Sequence, residues 1–185
     1  MSGAINHSIT IENINYFGSI QGDKVIVDYL KKVGAEVKIF ENRLEVKPRR
    51  LTKATFDLKN CIDLGPILFV LSLFCNHHIL FFNIKRLRFK ESNRIKAMLE
   101  NFKQIKVSFI EKENYLLIKK YDYRQKFKDR IIFNSFNDHR VAMALSVLSA
   151  ALDGKFIIKN IEAINKSYPK FLKDFHSLGG DVSEV

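Results

Sequence analysis

ILFFNIKRLRFKESNRIKAMLENFKQIKVSFI, residues 79–110, carries two hydrophobic rhythms in succession. It opens on a continuous apolar run, passes through Asn83-Ile84 into a polar turn, and then spaces Ile95, Met98, Leu99 and Phe102 at helical intervals. A second short run, KVSFI, closes it. The order predicts strand, turn, amphipathic helix, strand.

Two further stretches have the same layout: SITIENINYFGSIQGDKVIVDYLKKVGAEVKIF (8–40) and FIIKNIEAINKSYPKFLKDFHSLGGDVSEV (156–185). Asn13-Ile14, Asn83-Ile84 and Asn160-Ile161 each precede, by 22 to 24 residues, the first valine of a closing strand: Val37, Val107 and Val182. Three matched anchors mark an internal repeat. The outer two helices place apolar residues at Val25, Ile26, Tyr29, Leu30 and Val33, and at Phe171, Leu172, Phe175 and Leu178. EVKIF turns at Glu41-Asn42 into RLEVK, and KVSFI turns near Glu113-Asn114 into YLLIK. Between the repeats lie ATFDL followed by DLGPILFVLSLFC, and RIIFN followed by DHRVAMALSVLSAAL. The chain therefore reads as βαβαββ units of mixed α/β class, the first without its opening strand and helix and the last cut short. No Pro/Gly/Ser-rich linker interrupts residues 1–185, which read as one domain.

At 185 residues and 46% apolar content the chain can close an ordinary core. Its formal charge of +11 favours an anionic partner, leaving nucleic acid, acidic lipid and phosphorylated metabolites open. Cys61 and Cys75 lack metal-ligand spacing and lie in or beside an apolar segment, which suggests buried thiols in a reducing cytoplasm. MSGAINHSITIENI lacks the order of a signal peptide. The apolar run 64–82 is broken by Gly65-Pro66 and Asn76-His77-His78, so helix, turn and strand fit it better than a membrane span. KKYDYRQKFKDR (119–130) reads as a solvated loop, although interleaved Tyr and Lys also suit nucleic acid.

Four helix starts carry polar clusters: Asp63 before Leu64-Gly65-Pro66, Lys90-Glu91-Ser92-Asn93-Arg94, Asn137-Asp138-His139-Arg140, and Lys166-Ser167-Tyr168-Pro169. Asp63, Ser92, Asn137 or Asp138, and Ser167 are candidate N-caps, with Pro66 and Pro169 in first turns. Capping does not explain the bases, because a cation at a helix N-terminus is disfavoured by roughly 0.3–1 kcal/mol. A bound anion would relieve that conflict at Lys90, Arg94, His139, Arg140 and Lys166. Taken one at a time, Arg94 also fits a surface pair with Glu91, His139 a capping histidine and Asp63 a simple cap.

RLRFKESNR, FNDHRVAMAL and NKSYPKFL resemble, in this order, three signature segments of the 5-enolpyruvylshikimate-3-phosphate synthase family. CIDLGPIL and SIQGDKVIVDYLKKVGAEV resemble further stretches of it, so the likeness spans nearly the whole chain. The resemblance implies one C-terminal domain of an enolpyruvyl transferase inside-out α/β barrel, with helix N-termini directed at a cleft. It implies transfer of the enolpyruvyl group of phosphoenolpyruvate to the 5-hydroxyl of shikimate 3-phosphate, releasing phosphate, with no cofactor and no metal. Asp63, Glu91, His139 and Lys166 take the catalytic roles by that resemblance. Lys90, Arg94 and Arg140 bind the two substrates, with the arginines on the phosphoenolpyruvate carboxylate. The family's Ser-Ser-Gln stretch for shikimate phosphate and its N-terminal Lys and Arg have no counterpart in these 185 residues, so the chain alone is expected to lack turnover and to need an N-terminal domain as partner. Asn93 stands where the family has an acidic neighbour of the arginine, and Ile62 stands in place of the Pro before Asp63. A transferase acting on a UDP-amino sugar and a basic, non-catalytic nucleic-acid-binding module are the alternatives; the enzyme reading carries no nucleic-acid or membrane partner.

Overall fold

The computed structural model describes residues 7–181, and its element order follows the predicted rhythm. The middle unit is complete: β4 (Thr55–Asp57), α2 (Gly65–Leu73), β5 (Ile79–Phe82), α3 (Arg94–Gln104), β6 (Phe109–Glu111) and β7 (Tyr115–Ile118). The first unit holds β1 (Ile9–Glu12), α1 (Ile26–Lys32), β2 (Glu36–Ile39) and β3 (Arg43–Lys47). The third holds β8 (Ile131–Asn134), α4 (His139–Ala151), β9 (Phe156–Lys159) and α5 (Phe171–Ser177). The closing strand expected at Val182 lies outside the described residues.

Strand pairing repeats with the sequence. In the middle unit the order is β4-β5-β7-β6, with β4 parallel to β5, and both β5 and β6 antiparallel to β7. The first unit reproduces its second half as β1-β3-β2, all antiparallel. The third reproduces its first half as the parallel pair β8-β9. The described strands thus form three separate sheets of three, four and two strands, with no closed barrel among them.

The Asn-Ile anchors have a backbone reason. Asn13, Asn83 and Asn160 all sit in the left-handed region, at φ 57°, 57° and 59°. Each ends a strand by turning the chain toward the helix, and asparagine tolerates this conformation better than other side chains do. Asn83 is also tied through its amide to the Asp57 carboxylate (2.7 Å), and Asn160 to the Asn134 side chain (3.0 Å).

Inside, α2 is buried on nearly every face, which explains a run as apolar as a membrane segment yet only nine residues long. Among the described residues no helix is long and apolar enough to cross a membrane. Ile79 and Phe81 of β5 and Leu116 and Ile118 of β7 point into the same core as Ile95, Met98, Leu99 and Phe102 of α3, the period of two meeting the period of 3.6. Asn101, 3% exposed, bonds both the N–H and the C=O of Asn134 at 2.8 Å, so a side-chain amide ties α3 to the end of β8. Cys61 and Cys75 are free and buried, and burial pushes the Cys75 thiol up to about 12. Residues 119–130 form the expected loop, but Tyr121 is buried with its hydroxyl donating to the Ile105 carbonyl, and Tyr123 packs on Phe74.

Several caps differ from expectation. Asn93, not Ser92, caps α3 by accepting from the Lys96 N–H at 3.0 Å. Asp63 caps nothing; it lies within a 3-10 turn, Ile62–Leu64, that leads into α2. Pro66 does occupy the first turn of α2. Ser167 follows a 3-10 helix, Ile161–Lys166, and Pro169 sits in the turn ahead of α5, whose N-cap Lys170 makes no side-chain cap bond. Phe171, Leu172 and Phe175 are only half-buried and Leu178 is 67% exposed, so α5 sits less deeply than its apolar spacing implied.

The shared left-handed asparagine makes a direct prediction. Asn83→Ala should lower stability by about 1–2 kcal/mol in urea unfolding, because alanine resists that conformation, whereas Asn83→Gly, which adopts it freely, should lose clearly less; equal losses would mean that the amide bonds, not φ, are what matter.

Candidate active site

The segments leading into α2, α3 and α4 converge on one guanidinium. Arg94, the first residue of α3, is 0% exposed. Its Nε donates to Asp138 Oδ2 at 2.8 Å, its Nη1 to Asp63 Oδ1 at 2.6 Å, and its Nη2 to Glu91 Oε2 at 2.7 Å. Arg94 and Glu91 do pair, as the spacing allowed, but inside the protein and within a larger cluster.

Asp138 is also fully buried, and every lone pair of its carboxylate is engaged. One oxygen accepts from the Arg140 and Val141 N–H groups, capping α4. The other accepts from Arg94 and from the Ser92 hydroxyl at 3.1 Å. The turn that delivers it places both Phe136 and Asn137 at positive φ, 54° and 57°. Burial alone would raise the Asp138 carboxyl; Arg94 and the two helix N–H groups outweigh it and hold it below the usual carboxylate range.

Asp63 binds three cations. Besides Arg94, Lys90 Nζ and Arg140 Nη2 lie 3.3 Å from its two oxygens. Desolvation is again outweighed, by Arg94, Arg140 and Lys90, and the carboxyl is held low. Two glycines allow this approach. A Cβ on Gly65 would come within 2.8 Å of the Leu87 side chain, so glycine lets the start of α2 lie close against the turn that precedes Lys90. A Cβ on Gly22 would meet the Asn60 carbonyl oxygen at 2.6 Å. That contact brings Asp23 to 3.5 Å from Arg140 Nη1.

Lys166 joins the rim from the third unit, its ammonium 3.3 Å from the Asn137 carbonyl. His139 lies between Asp138 and Arg140 in sequence, yet its Nδ1 is buried with no hydrogen-bond partner among the described residues. Of the seven expected site residues, Asp63, Lys90, Glu91, Arg94 and Arg140 are joined by direct contacts, Lys166 touches the same turn, and His139 makes no bond to the cluster. Beside Asp63 and Arg140 a polar cavity of about 370 Å³ opens, lined also by Gln21, Asp23 and Asn60.

Asp138 and Asp23 went unrecognised as site residues. In the sequence Asp138 reads as a cap only, and its pairing with Arg94 spans 44 residues. Asp23 belongs to Gln-Gly-Asp, where the glycine was the available signal. The anion argument also changes. Lys90, Arg94 and Arg140 are balanced from within by Asp63, Glu91, Asp138 and Asp23, so their presence alone does not call for a ligand, whereas Lys166 meets only a carbonyl among the described residues. Asn93 serves the helix cap, and Asp138 pairs with Arg94.

Comparison with known proteins bears on this geometry. Residues 1–175 match the family model described as EPSP synthase (3-phosphoshikimate 1-carboxyvinyltransferase). A 3-phosphoshikimate 1-carboxyvinyltransferase of Clostridium novyi is 41% identical over 166 residues, covering 90% of this chain and 37% of that protein. One from Clostridium kluyveri is 37% identical over 182 residues, 98% of this chain and 42% of that protein. The chain thus spans about two fifths of the length of the curated relatives it matches. Among solved structures, an EPSP synthase from Acinetobacter baumannii superposes with a TM-score of 0.80 at 22% identity, over 99% of this chain and 45% of that one. The enolpyruvyl transferase NikO of Streptomyces tendae gives 0.77 at 15% identity, over 97% and 41%. These two establish likeness of fold.

A guanidinium sealed among carboxylates should be costly to half-dismantle. Asp138→Ala should destabilise the chain by about 3–5 kcal/mol in urea unfolding, and the paired replacement Arg94→Met with Asp138→Leu should recover a large part of that. Because the folded-state pKa values of Asp63 and Asp138 lie below the ordinary 3.8, their contribution is complete above that value and is lost as pH falls toward the depressed ones. Acid unfolding monitored by circular dichroism should therefore begin below about pH 4, and a flat profile down to pH 2 would contradict the pairing.

Proposed function

The chain belongs to the EPSP synthase (3-phosphoshikimate 1-carboxyvinyltransferase) family, and from that premise we propose that it supplies the C-terminal half-site of such an enzyme. The observation that carries this reading is the gathering of Asp63, Lys90, Glu91, Arg94 and Arg140, with Lys166 beside them, from segments far apart in sequence. The reaction is transfer of the enolpyruvyl group of phosphoenolpyruvate to the 5-hydroxyl of shikimate 3-phosphate. The hydroxyl adds to C2 while C3 is protonated, and loss of phosphate and of a C3 proton regenerates the double bond. The names of the relatives support this acceptor over a UDP-amino sugar.

Each group has a role suited to its surroundings. Asp63, held ionised by three cations, is a strong acceptor but a weak base, which suits it to orient the substrate hydroxyl. Glu91, 44% exposed, is the carboxylate with room to carry the methylene proton. Arg140, 32% exposed at its side chain, presents an open fork that matches a carboxylate, and Arg94 supplies a second one covered by Glu91. Lys90 faces the phosphate of the acceptor. Lys166, with His139 next to its anchoring turn, faces the leaving phosphate. Stabilisation of a multiply anionic intermediate by preset cations is the main catalytic device, and it needs neither cofactor nor metal.

On this reading activity depends on a second half-site that binds the acceptor's phosphate and excludes water. The chain alone should release no phosphate from the two substrates in a steady-state assay. Addition of the N-terminal portion of a Clostridium 3-phosphoshikimate 1-carboxyvinyltransferase should restore turnover. In that mixture Lys166→Ala and Asp63→Ala should each lower kcat by about 10²- to 10⁴-fold. Robust turnover by the chain alone would overturn the half-site reading.

A further inference from the structure

Arg94 cannot meet a ligand as it stands. Its side chain is 1% exposed, and three carboxylates occupy three sides of the guanidinium. Those carboxylates are not equivalent. Asp138 is 0% exposed and locked by four hydrogen bonds. Asp63, 32% exposed, is held by Lys90 and Arg140 as well as by Arg94. Glu91 is 44% exposed, and Arg94 is its sole ion-pair partner among the described residues. It also lies in a bend ahead of the α3 cap, outside any helix or strand, so its side chain can swing away without breaking regular structure.

We propose that Glu91 is an internal stand-in for a ligand carboxylate, covering Arg94 Nη2 until an incoming carboxylate takes its place. The proposal rests on the half-site reading above and deepens it. Exchange of one carboxylate for another keeps the buried guanidinium paired throughout, so it avoids the large cost of exposing an uncompensated buried charge. Arg140, whose Nη2 lies 3.3 Å from Asp63, is the more open fork and offers the ligand its first contact. Displacement then frees the Glu91 carboxylate from its guanidinium partner and turns it toward the incoming ligand. Occupation of the arginine and release of the proton carrier become one event. Glu91 therefore weakens carboxylate binding as the price of that coupling.

The test is calorimetric titration of phosphoenolpyruvate into the 185-residue chain and its Glu91→Asp and Glu91→Gln variants, with inorganic phosphate as a parallel probe. Aspartate keeps the charge but is one methylene too short for Arg94, so it separates competition for the arginine from bulk repulsion. Both variants should bind phosphoenolpyruvate about 3- to 10-fold more tightly than the wild type, the worth of a partly exposed ion pair, while their affinity for inorganic phosphate stays unchanged. Tightening by Gln alone, or tightening of phosphate to the same degree, would reduce the effect to charge and overturn the stand-in role. Wild-type binding that neither variant alters would overturn it while leaving the half-site reading intact. If neither the wild type nor the variants bind phosphoenolpyruvate, the half-site reading itself fails.

Discussion

The buried guanidinium of Arg94 is the constraint around which the rest of the molecule is arranged. One planar group, almost without access to water, must find acceptors in fixed directions, and it finds them on the approach to α2, on its own leading turn and at the cap of α4. Neither Asp138 nor Asp63 can shift far without leaving a charge unpaired at low dielectric. The middle and third units are therefore held in register by a polar contact at their helix starts, as well as by the apolar core behind them. The first unit joins through Asp23 and Arg140, a longer and more exposed contact.

Repetition and departure from repetition divide the labour. Each unit ends a strand on a left-handed asparagine and passes through a 3-10 turn before its helix: Gly22–Val25, Lys85–Phe89 and Ile161–Lys166. These turns point the polar residues of each unit toward the same rim. The start of α4 breaks the pattern, replacing the 3-10 turn with two successive left-handed residues, Phe136 and Asn137. Strain of that kind costs on the order of 1–3 kcal/mol per residue and persists only where its surroundings impose it. Here it delivers the Asp138 carboxylate to Arg94 and the Asn137 carbonyl to Lys166 in consecutive residues.

What the sequence made legible is the part governed by period and by backbone preference. The short apolar runs ILFF and YLLI, the 3.6-residue spacing of Ile95, Met98, Leu99 and Phe102, and three Asn-Ile anchors suffice for the order of elements, because each rests on local geometry. Five of the polar groups that gather, Asp63, Lys90, Glu91, Arg94 and Arg140, were also legible, whereas Asp23 and Asp138 were not. Their mutual arrangement was not. Ser92 and Asn93 are both good caps, and only the path of the chain decides that the first serves Asp138 and the second the helix. Nothing in a string of letters marks Asp138 as buried, since aspartate is ordinarily exposed. The half-buried α5 illustrates the converse: apolar spacing states which face seeks cover, not how much cover the described residues supply.

Charge leads to the same distinction between inventory and arrangement. The cluster holds four carboxylates, Asp23, Asp63, Glu91 and Asp138, against four cations, Lys90, Arg94, Arg140 and Lys166, so its sum is zero and the chain's +11 resides elsewhere. A diffuse positive field steers anions toward the molecule but cannot choose among them, and salt weakens it over about 10 Å. On the stand-in proposal, selection comes from the neutral cluster, where a ligand carboxylate replaces a partner already there. A site of that kind would be specific because it is balanced: an anion that cannot reproduce the geometry of the carboxylate it displaces would gain nothing from the nearby cations.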